Sequence, residues 1–409
     1  MDHFFNVKTL DWVMGNLTRF SCMDKETVSI LDASSRVLSE DITASVDIPG
    51  FRRSTMDGYA VSSKSTFGAT EANPSWLEIA GEIRMGKTPD FSLGPGSAAG
   101  ISTGGMLPEG ADSVVMVEHT ETVDESSIEI YKSVAPLQNV IDSSEDFARG
   151  EVVLKKGLVL RPPEIGLAAA LGHPELIVYK KPVVGIISTG DEIVDITETP
   201  NPGEIRDINS YALAGFVRQA ESIPRLYGII KDDPEALFMA YKKAFEECDM
   251  VIISGGSSVG ARDYTIDVIN RIENSEILAH GISISPGKPT IFAKSGNKPL
   301  WGLPGQVVSA MVVFKVVVLP FLNRLKGKSN VFESKIKISA KLSRNVASAQ
   351  GRRDFVRIRL EKKDDQLLAE PVLGKSGLIK TMVLADGLLE IGENVEGIEK
   401  GSIVDIILL

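Results

Sequence analysis

Between residues 183 and 306 the chain repeats one grammar: an unbroken apolar run, a glycine-rich break, then a stretch with helical spacing. Val183-Val184-Gly185-Ile186-Ile187 and Met250-Val251-Ile252-Ile253 lack the polar alternation of a half-exposed strand, so each predicts a strand covered on both faces. The pattern predicts a helix over Asn209 to Ala220, a strand over Leu226 to Ile230, and a second helix led by Asp232-Asp233-Pro234-Glu235. Proline suits a first helical turn, because its missing N–H would be unpaired there anyway. Strands and helices alternating in this way build an open, largely parallel sheet with helices on both faces.

The flanking segments obey other rules. Leu10, Val13, Leu17 and Phe20 recur at intervals of three and four, the stripe of an amphipathic N-terminal helix. From residue 76 to 133 short strands such as Trp76 to Ile83 and Ser113 to His119 are punctuated by turns such as Gly94-Pro95-Gly96, which predicts a β-rich insertion. After residue 328, Ile336, Ile338, Ala340 and Leu342 alternate with Lys335, Lys337, Ser339 and Lys341, and Gly401 to Ile407 closes the chain as a further strand. Period two marks half-exposed strands and predicts a small C-terminal β barrel or sandwich. At 409 residues the chain outgrows a single core, so the expected class is multidomain α/β plus β.

Composition removes several functions. A formal net charge of -11 argues against a sequence-independent grip on nucleic acid, which needs many phosphate-neutralising cations. Any anionic ligand must then be held by local groups against an unfavourable global field. Cys22 and Cys248 are too few for a disulfide framework and lack a CxxC spacing, which fits a reducing cytoplasm. The start Met1-Asp2-His3-Phe4-Phe5 has no export-signal pattern. The apolar stretch Val307 to Phe321 is interrupted by Ser309 and Lys315 and is short for a membrane span, so it predicts a buried helix. No membrane association is expected.

In an open parallel sheet the ligand crevice lies beyond the carboxyl ends of the strands. Three glycine-rich loops are expected there: Ser188-Thr189-Gly190-Asp191-Glu192, Ser254-Gly255-Gly256-Ser257-Ser258-Val259-Gly260, and Gly302-Leu303-Pro304-Gly305-Gln306. Glycine allows close backbone approach, so successive N–H groups can receive an oxyanion. One such loop alone reads as a tight turn; three in one alternating domain point to a ligand. Asp191, Glu192 and Asp263 add oxygen donors of the kind Mg2+ takes, although Asp191 reads equally as a helix cap and Asp263 as a solvated acid. Lys288 stands between rigid turn residues in Pro286-Gly287-Lys288-Pro289, as a fixed cation or a surface turn. His3, His119, His173 and His280 show no metal-binding spacing.

With these segments in order, the chain resembles the molybdopterin molybdenumtransferase family, which includes bacterial MoeA and the C-terminal domain of gephyrin. The resemblance rests on Ser54 to Ala60, Ile101 to Glu118, Ser188 to Glu192, Gly203 to Asn209, Asp232-Asp233-Pro234, Ser254 to Asp263, Pro286 to Pro289, Gly302 to Ala310 and Gly374 to Gly377. It implies a discontinuous N-terminal linking domain over 1–55 and 143–177, a β-rich insertion over 56–142, an α/β molybdopterin-binding domain over 178–328 and a C-terminal barrel over 329–409. It also implies a homodimer whose cleft lies between the α/β domain of one subunit and the insertion of the other.

The implied catalytic carboxylates are Asp57, Asp146, Glu192, Asp232 and Asp263, with Glu192 and Asp263 on Mg2+. The implied substrate-binding residues are Thr103, Ser188, Gly190, Gly255, Gly256, Lys288, Gly302, Pro304, Arg357 and Ser376; Thr103, Arg357 and Ser376 are the candidates for holding molybdate. The implied reaction inserts molybdate into adenylylated molybdopterin with release of AMP. Molybdopterin adenylyltransferase and apo-molybdoenzymes or their chaperones would be partners. Alternatives of the same fold are a tungstate-specialised paralogue and a non-catalytic scaffold; an adenylyltransferase would need only the α/β domain.

This chain departs from the family pattern at Gln306-Val307, where Asn-Pro is usual, and at Ser285, where a basic residue commonly precedes the Pro-Gly-Lys-Pro turn. Arg52 or Arg53 is expected to compensate for the missing charge, against the plainer reading of both as solvated loop residues.

Overall fold

The computed structural model describes residues 6–255, 259–332 and 337–409, the side chains of 259–263 excepted. The chain divides into two compact units, one of residues 1–40, 156–166 and 174–409, the other of residues 41–155 and 167–173.

In the larger unit the apolar runs become neighbouring strands of a six-stranded sheet, in the order Ile223–Ile230, Val183–Thr189, Met250–Gly255, Lys298–Leu303, Ile291–Ser295, Ser275–His280. The first three pairings are parallel and the last two antiparallel. Strand alternation sends Val184, Ile186, Met250 and Ile252 into one core and Ile187, Val251 and Ile253 into another, so both faces are covered, as uniform apolarity requires. Helix Pro234–Glu247 starts where expected: the Asp233 carboxylate accepts from the N–H groups of Glu235 and Ala236, both at 2.8 Å. Asp191, open at the sequence level as a cap, caps no helix; its Oδ1 accepts the Asp232 N–H at 3.1 Å.

The run from Val307 is a core helix. It continues to Leu325 as Val307–Val313, a π-helical turn at Phe314–Val318, and Leu319–Leu325. It is long and apolar enough to cross a membrane, yet 89% of its apolar window is buried inside the protein. Its Phe321 meets Trp301 at 5.2 Å and Phe20 at 5.5 Å between ring centroids, and Trp301 stacks on Phe292 at 4.3 Å. Leu10, Val13, Leu17 and Phe20 join the same core. They do so from a shorter helix than their spacing suggests, Leu10–Gly15 followed by a 3-10 turn at Asn16–Arg19.

The C-terminal strands close on themselves. Arg353–Lys363, Gln366–Pro371, Lys337–Leu342, Ile403–Leu408 and Gly387–Ile391 pair in that order, and Gly387–Ile391 pairs back to Arg353–Lys363, making a five-stranded barrel. Ala340, Leu342, Val404 and Ile406 fill it, as period two requires. Ile284–Ser285 adds a short parallel strand to its rim, pairing Ser285 with Asp354.

The smaller unit is built on a six-stranded mixed sheet, ordered Ser113–Met116, Gly58–Val61, Ser97–Ile101, Ser75–Ile83, Ser127–Ile130, Thr120–Asp124. Neighbours in sequence face opposite sides: Ala60, Ala99 and Val114 join one core, Val61, Ala98 and Val115 the other.

Candidate active site

Two of the glycine loops meet where Val183–Thr189 and Met250–Gly255 end side by side, with Thr189 opposite Gly255. Gly255 has φ +141, and a Cβ there would lie 1.9 Å from the Thr189 carbonyl oxygen, so only glycine lets the two strand ends close up. Asn209 ties this floor to the third loop: its amide nitrogen donates to Ser254 Oγ at 2.8 Å and to the Gly305 carbonyl at 2.9 Å. The result is a crevice of about 220 Å³, lined among others by Glu192, Arg206, Asp207, Asn209, Gly255 and Gln306.

Acids gather at its edge. Glu192 is exposed, and its carboxylate folds against Gly190, where a Cβ would come within 2.7 Å of Oε2. The Thr189 hydroxyl donates to Asp232 Oδ1 at 3.3 Å. Burial, reinforced by the charges of Asp191 and Glu192, holds the Asp232 carboxyl above its ordinary range. Lys231 does not neutralise the group by direct pairing, because its Nζ donates to the carbonyls of Asp191 (2.8 Å) and Ile193 (3.0 Å). Among the described residues no three carboxylate, histidine or cysteine groups are drawn together tightly enough to form a preformed metal site. Gly256 and the Asp263 side chain, both expected in the site, lie outside the described residues.

A second cleft, of about 320 Å³, opens beside the first and shares Gly255 and Gln306 with it. Lys288, Gly302, Pro304 and Ser376 line it, and Arg352 joins them. Pairing of Ile284–Ser285 with the barrel strand puts Arg352 at the same cleft as Ser285, and its Nε pairs with Asp354 at 2.9 Å. Arg352, paired with Asp354, is therefore a cation that this unit itself brings to the cleft at Ser285. In the smaller unit Arg52 bonds Asp142 through Nε at 2.7 Å, which raises its pKa. Nothing local distinguishes Arg352 in sequence, since Gly351-Arg352-Arg353-Asp354 reads as an ordinary polar turn.

Two expected substrate contacts are turned inward. Ser188 is fully buried, and its hydroxyl pairs with that of Ser210 at 2.8 Å, so it braces the strand end and does not line either cleft. Arg357 is also buried; its Nη2 donates to the Gly374 carbonyl at 2.7 Å, and burial lowers its pKa. It holds the loop that carries Ser376. That loop is pinned at the other side by the core helix, whose Val308 N–H donates to the Ser376 carbonyl at 3.0 Å, and by the Ser376 hydroxyl donating to Gln306 Oε1. Gln306, where the family pattern has Asn, therefore bridges two loops of the cleft.

In the smaller unit Asp57 and Thr103 come together, with the Thr103 N–H and hydroxyl donating to Asp57 Oδ1 at 2.7 and 3.1 Å. Both are exposed. Asp146 is exposed as well, its backbone N–H bonded to the Ile48 carbonyl at 3.0 Å. The residues that sequence reasoning did not assign a role are Arg352, Asp207 and Asn209. Asp207 is buried and accepts the Ser210 N–H at 3.0 Å, fixing the helix whose first residue is Asn209.

Three family models tile the chain: the MoeA N-terminal region (domain I and II) over residues 8–172, a probable molybdopterin binding domain over 185–324, and the MoeA C-terminal region (domain IV) over 339–409. A protein of Methanocaldococcus jannaschii assigned to molybdopterin biosynthesis is 38% identical over 393 residues, covering 93% of this chain and 92% of the relative. The molybdopterin molybdenumtransferase of Bacillus subtilis is 32% identical over 390 residues, covering 94% and 90%. A crystal structure of the molybdopterin biosynthesis protein MoeA from Pyrococcus horikoshii matches with a TM-score of 0.86 at 32% identity, covering 98% of this chain and 100% of that one. With three family models tiling the chain and relatives matched over nearly their full length, the chain belongs to the molybdopterin molybdenumtransferase (MoeA) family of molybdenum cofactor biosynthesis enzymes.

Proposed function

We propose that the protein inserts molybdate into adenylylated molybdopterin and releases AMP, acting as a cytoplasmic homodimer. The observation that carries the reading is the pair of clefts sharing Gly255 and Gln306, one edged by acids and the other by Lys288 and Arg352. A substrate with two phosphates and an incoming oxyanion calls for both kinds of surface: cations that gather negative charge, and carboxylates that hold a metal and orient an oxygen nucleophile.

In this reading Lys288, Arg352 and Ser376 receive anionic groups, and the backbone of the strand-end glycines lets phosphate approach. The phosphoanhydride is cleaved by an oxygen nucleophile attacking phosphorus, with AMP departing as the P–O bond breaks. Asp232, its proton affinity raised by burial and by Asp191 and Glu192 and its carboxylate oriented by Thr189, is placed to accept or return a proton as that nucleophile forms. The crowding of Asp191 and Glu192 on Asp232, which raises the proton affinity of Asp232, is the kind of repulsion that a hard divalent cation such as Mg2+ relieves. Glu192 and Asp263 would hold the ion, which would neutralise phosphate charge when bound. Asp57, Thr103 and Asp146 would complete the cleft from the second subunit of the dimer. Molybdopterin adenylyltransferase would supply the substrate, and apo-molybdoenzymes or their chaperones would take the product.

The test is AMP release from adenylylated molybdopterin on addition of molybdate, followed by chromatography across a Mg2+ titration, with Asp263→Asn beside the wild type. Molybdate-dependent release that needs Mg2+ and falls in the variant is expected. Absence of release by a folded dimer would overturn the reading, and a wild-type Mg2+ response in Asp263→Asn would remove Asp263 from the metal.

A further inference from the structure

The lysine that interrupts the core helix has no part in the clefts above. Lys315 sits in the π-helical turn Phe314–Val318, and local π geometry inside an α-helix is frequent where a side chain must be re-aimed for function. It lines a separate cavity of about 320 Å³ together with Lys326 and Lys328. This cavity lies toward the amino ends of the sheet, since Ala220 and Glu221, which also line it, lead into the strand Ile223–Ile230. The clefts described above lie at the opposite, carboxyl ends.

Charge there is unbalanced. Lys326 is only 6% exposed, and its Nζ donates to the Ala220 carbonyl at 2.5 Å, which accounts for one of its three protons. Among the described residues Glu221 is the one acid lining the cavity, and it already pairs with Lys181 at 3.0 Å. Among the described residues Lys315 and Lys328 make no ion pair with a carboxylate. Burial and the neighbouring charge of Lys328 push Lys326 down to about 7, and burial also lowers Lys315. Helix C-termini welcome a nearby cation, which explains Lys326 on the Ala220 carbonyl. That does not explain Lys315, in the middle of a helix, and crowding three ammonium groups around one partly desolvated space is unfavourable until an anion enters. The remaining wall is apolar: Phe216 and Phe314 stack at 5.5 Å between centroids.

We infer that this cavity is a second anion site, in which Lys315, Lys326 and Lys328 hold a phosphate-like oxyanion, free or carried on a small molecule whose apolar part lies against Phe216 and Phe314. The site is independent of the clefts at the other end of the sheet and of the reaction proposed for them.

Amine acylation of the full-length protein, read residue by residue by mass spectrometry with and without inorganic pyrophosphate, tests this without altering the cavity. Lys315 and Lys328 are expected to be labelled in the free protein and protected by pyrophosphate, in the wild type and in Lys288→Ala alike. Calorimetric titration of pyrophosphate into Lys288→Ala should then show one remaining site that Lys315→Gln, added to it, weakens about tenfold, the loss of one charge-assisted contact. Three results would overturn the inference: no protection, protection that disappears in Lys288→Ala, or lysines that stay unlabelled until the protein is diluted to monomers, which would mean that a second copy covers them.

Discussion

Thr103 gives both its backbone N–H and its hydroxyl to a single oxygen of Asp57, at 2.7 and 3.1 Å. The strands Gly58–Val61 and Ser97–Ile101 pair Gly58 with Ile101, which brings these two residues, 46 apart along the chain, to one end of the sheet. Asp57 is thereby held in one orientation with its second oxygen unused by these bonds. Thr103→Val, which keeps shape and the backbone donor, is expected to lower the rate of AMP release while costing at most about 1 kcal/mol of stability, the worth of one exposed hydroxyl hydrogen bond. Unchanged kinetics with unchanged stability would show that the clamp has no role.

Gly255→Ala puts a methyl group where the Thr189 carbonyl already stands, 1.9 Å away. Neither strand end can yield without breaking the pairing of Thr189 with Gly255. A loss of about 1–3 kcal/mol in urea denaturation is expected, the usual cost of overpacking, together with loss of ligand binding in both clefts.

Gln306→Leu removes the acceptor of the Ser376 hydroxyl but keeps a side chain of similar bulk. Affinity for the adenylylated substrate is expected to fall by about fivefold, or near 1 kcal/mol, with the fold intact. Gln306→Asn, which restores the residue usual in the family at shorter reach, should recover part of that loss. Titration calorimetry on both variants and on Ser376→Ala gives the comparison; additive losses for Gln306→Leu and Ser376→Ala would show that the two residues act separately.

Asp232 carries a raised pKa from burial and from Asp191 and Glu192. In the folded state it therefore holds its proton where the unfolded chain has lost it, so stability falls as pH rises from its ordinary value through the raised one, and the cost persists above. Asp232→Asn is expected to be more stable than the wild type at neutral pH, equal to it below the ordinary aspartate range, and poorer in AMP release. Denaturation midpoints across pH, with Mg2+ added at neutral pH to narrow the gap, give the check.

For Lys326 the sign is reversed. Its folded pKa of about 7 lies below the ordinary 10.5, so between those values the unfolded chain binds more protons and stability rises with pH. The wild type should gain on Lys326→Met by up to about 1.4 kcal/mol per pH unit across that window, and the difference should be constant below it. A parallel pair of stability curves would place the Lys326 amine in water.

The sequence by itself determined the layers. Uniform apolar runs such as Met250-Val251-Ile252-Ile253 can only be covered on both sides, and period two in Ile338, Ala340 and Leu342 can only make a strand with one wet face, because side-chain direction follows from backbone geometry alone. It also placed Lys288, Gly302, Pro304 and Ser376, which the fold gathers around one cleft. Tertiary structure decided which polar side chains reach that cleft. Arg352 and Arg52 look alike in sequence and each pairs with an aspartate, Asp354 or Asp142, yet it is barrel closure and the pairing of Ser285 with Asp354 that put Arg352 at this cleft. Ser188 and Arg357 carry the right chemistry but point inward, onto Ser210 and Gly374, because a polar group made inaccessible by packing must find its partner inside the protein. Those partners lie 22 and 17 residues away along the chain, and only the packing of elements between them sets the distance that a hydrogen bond needs.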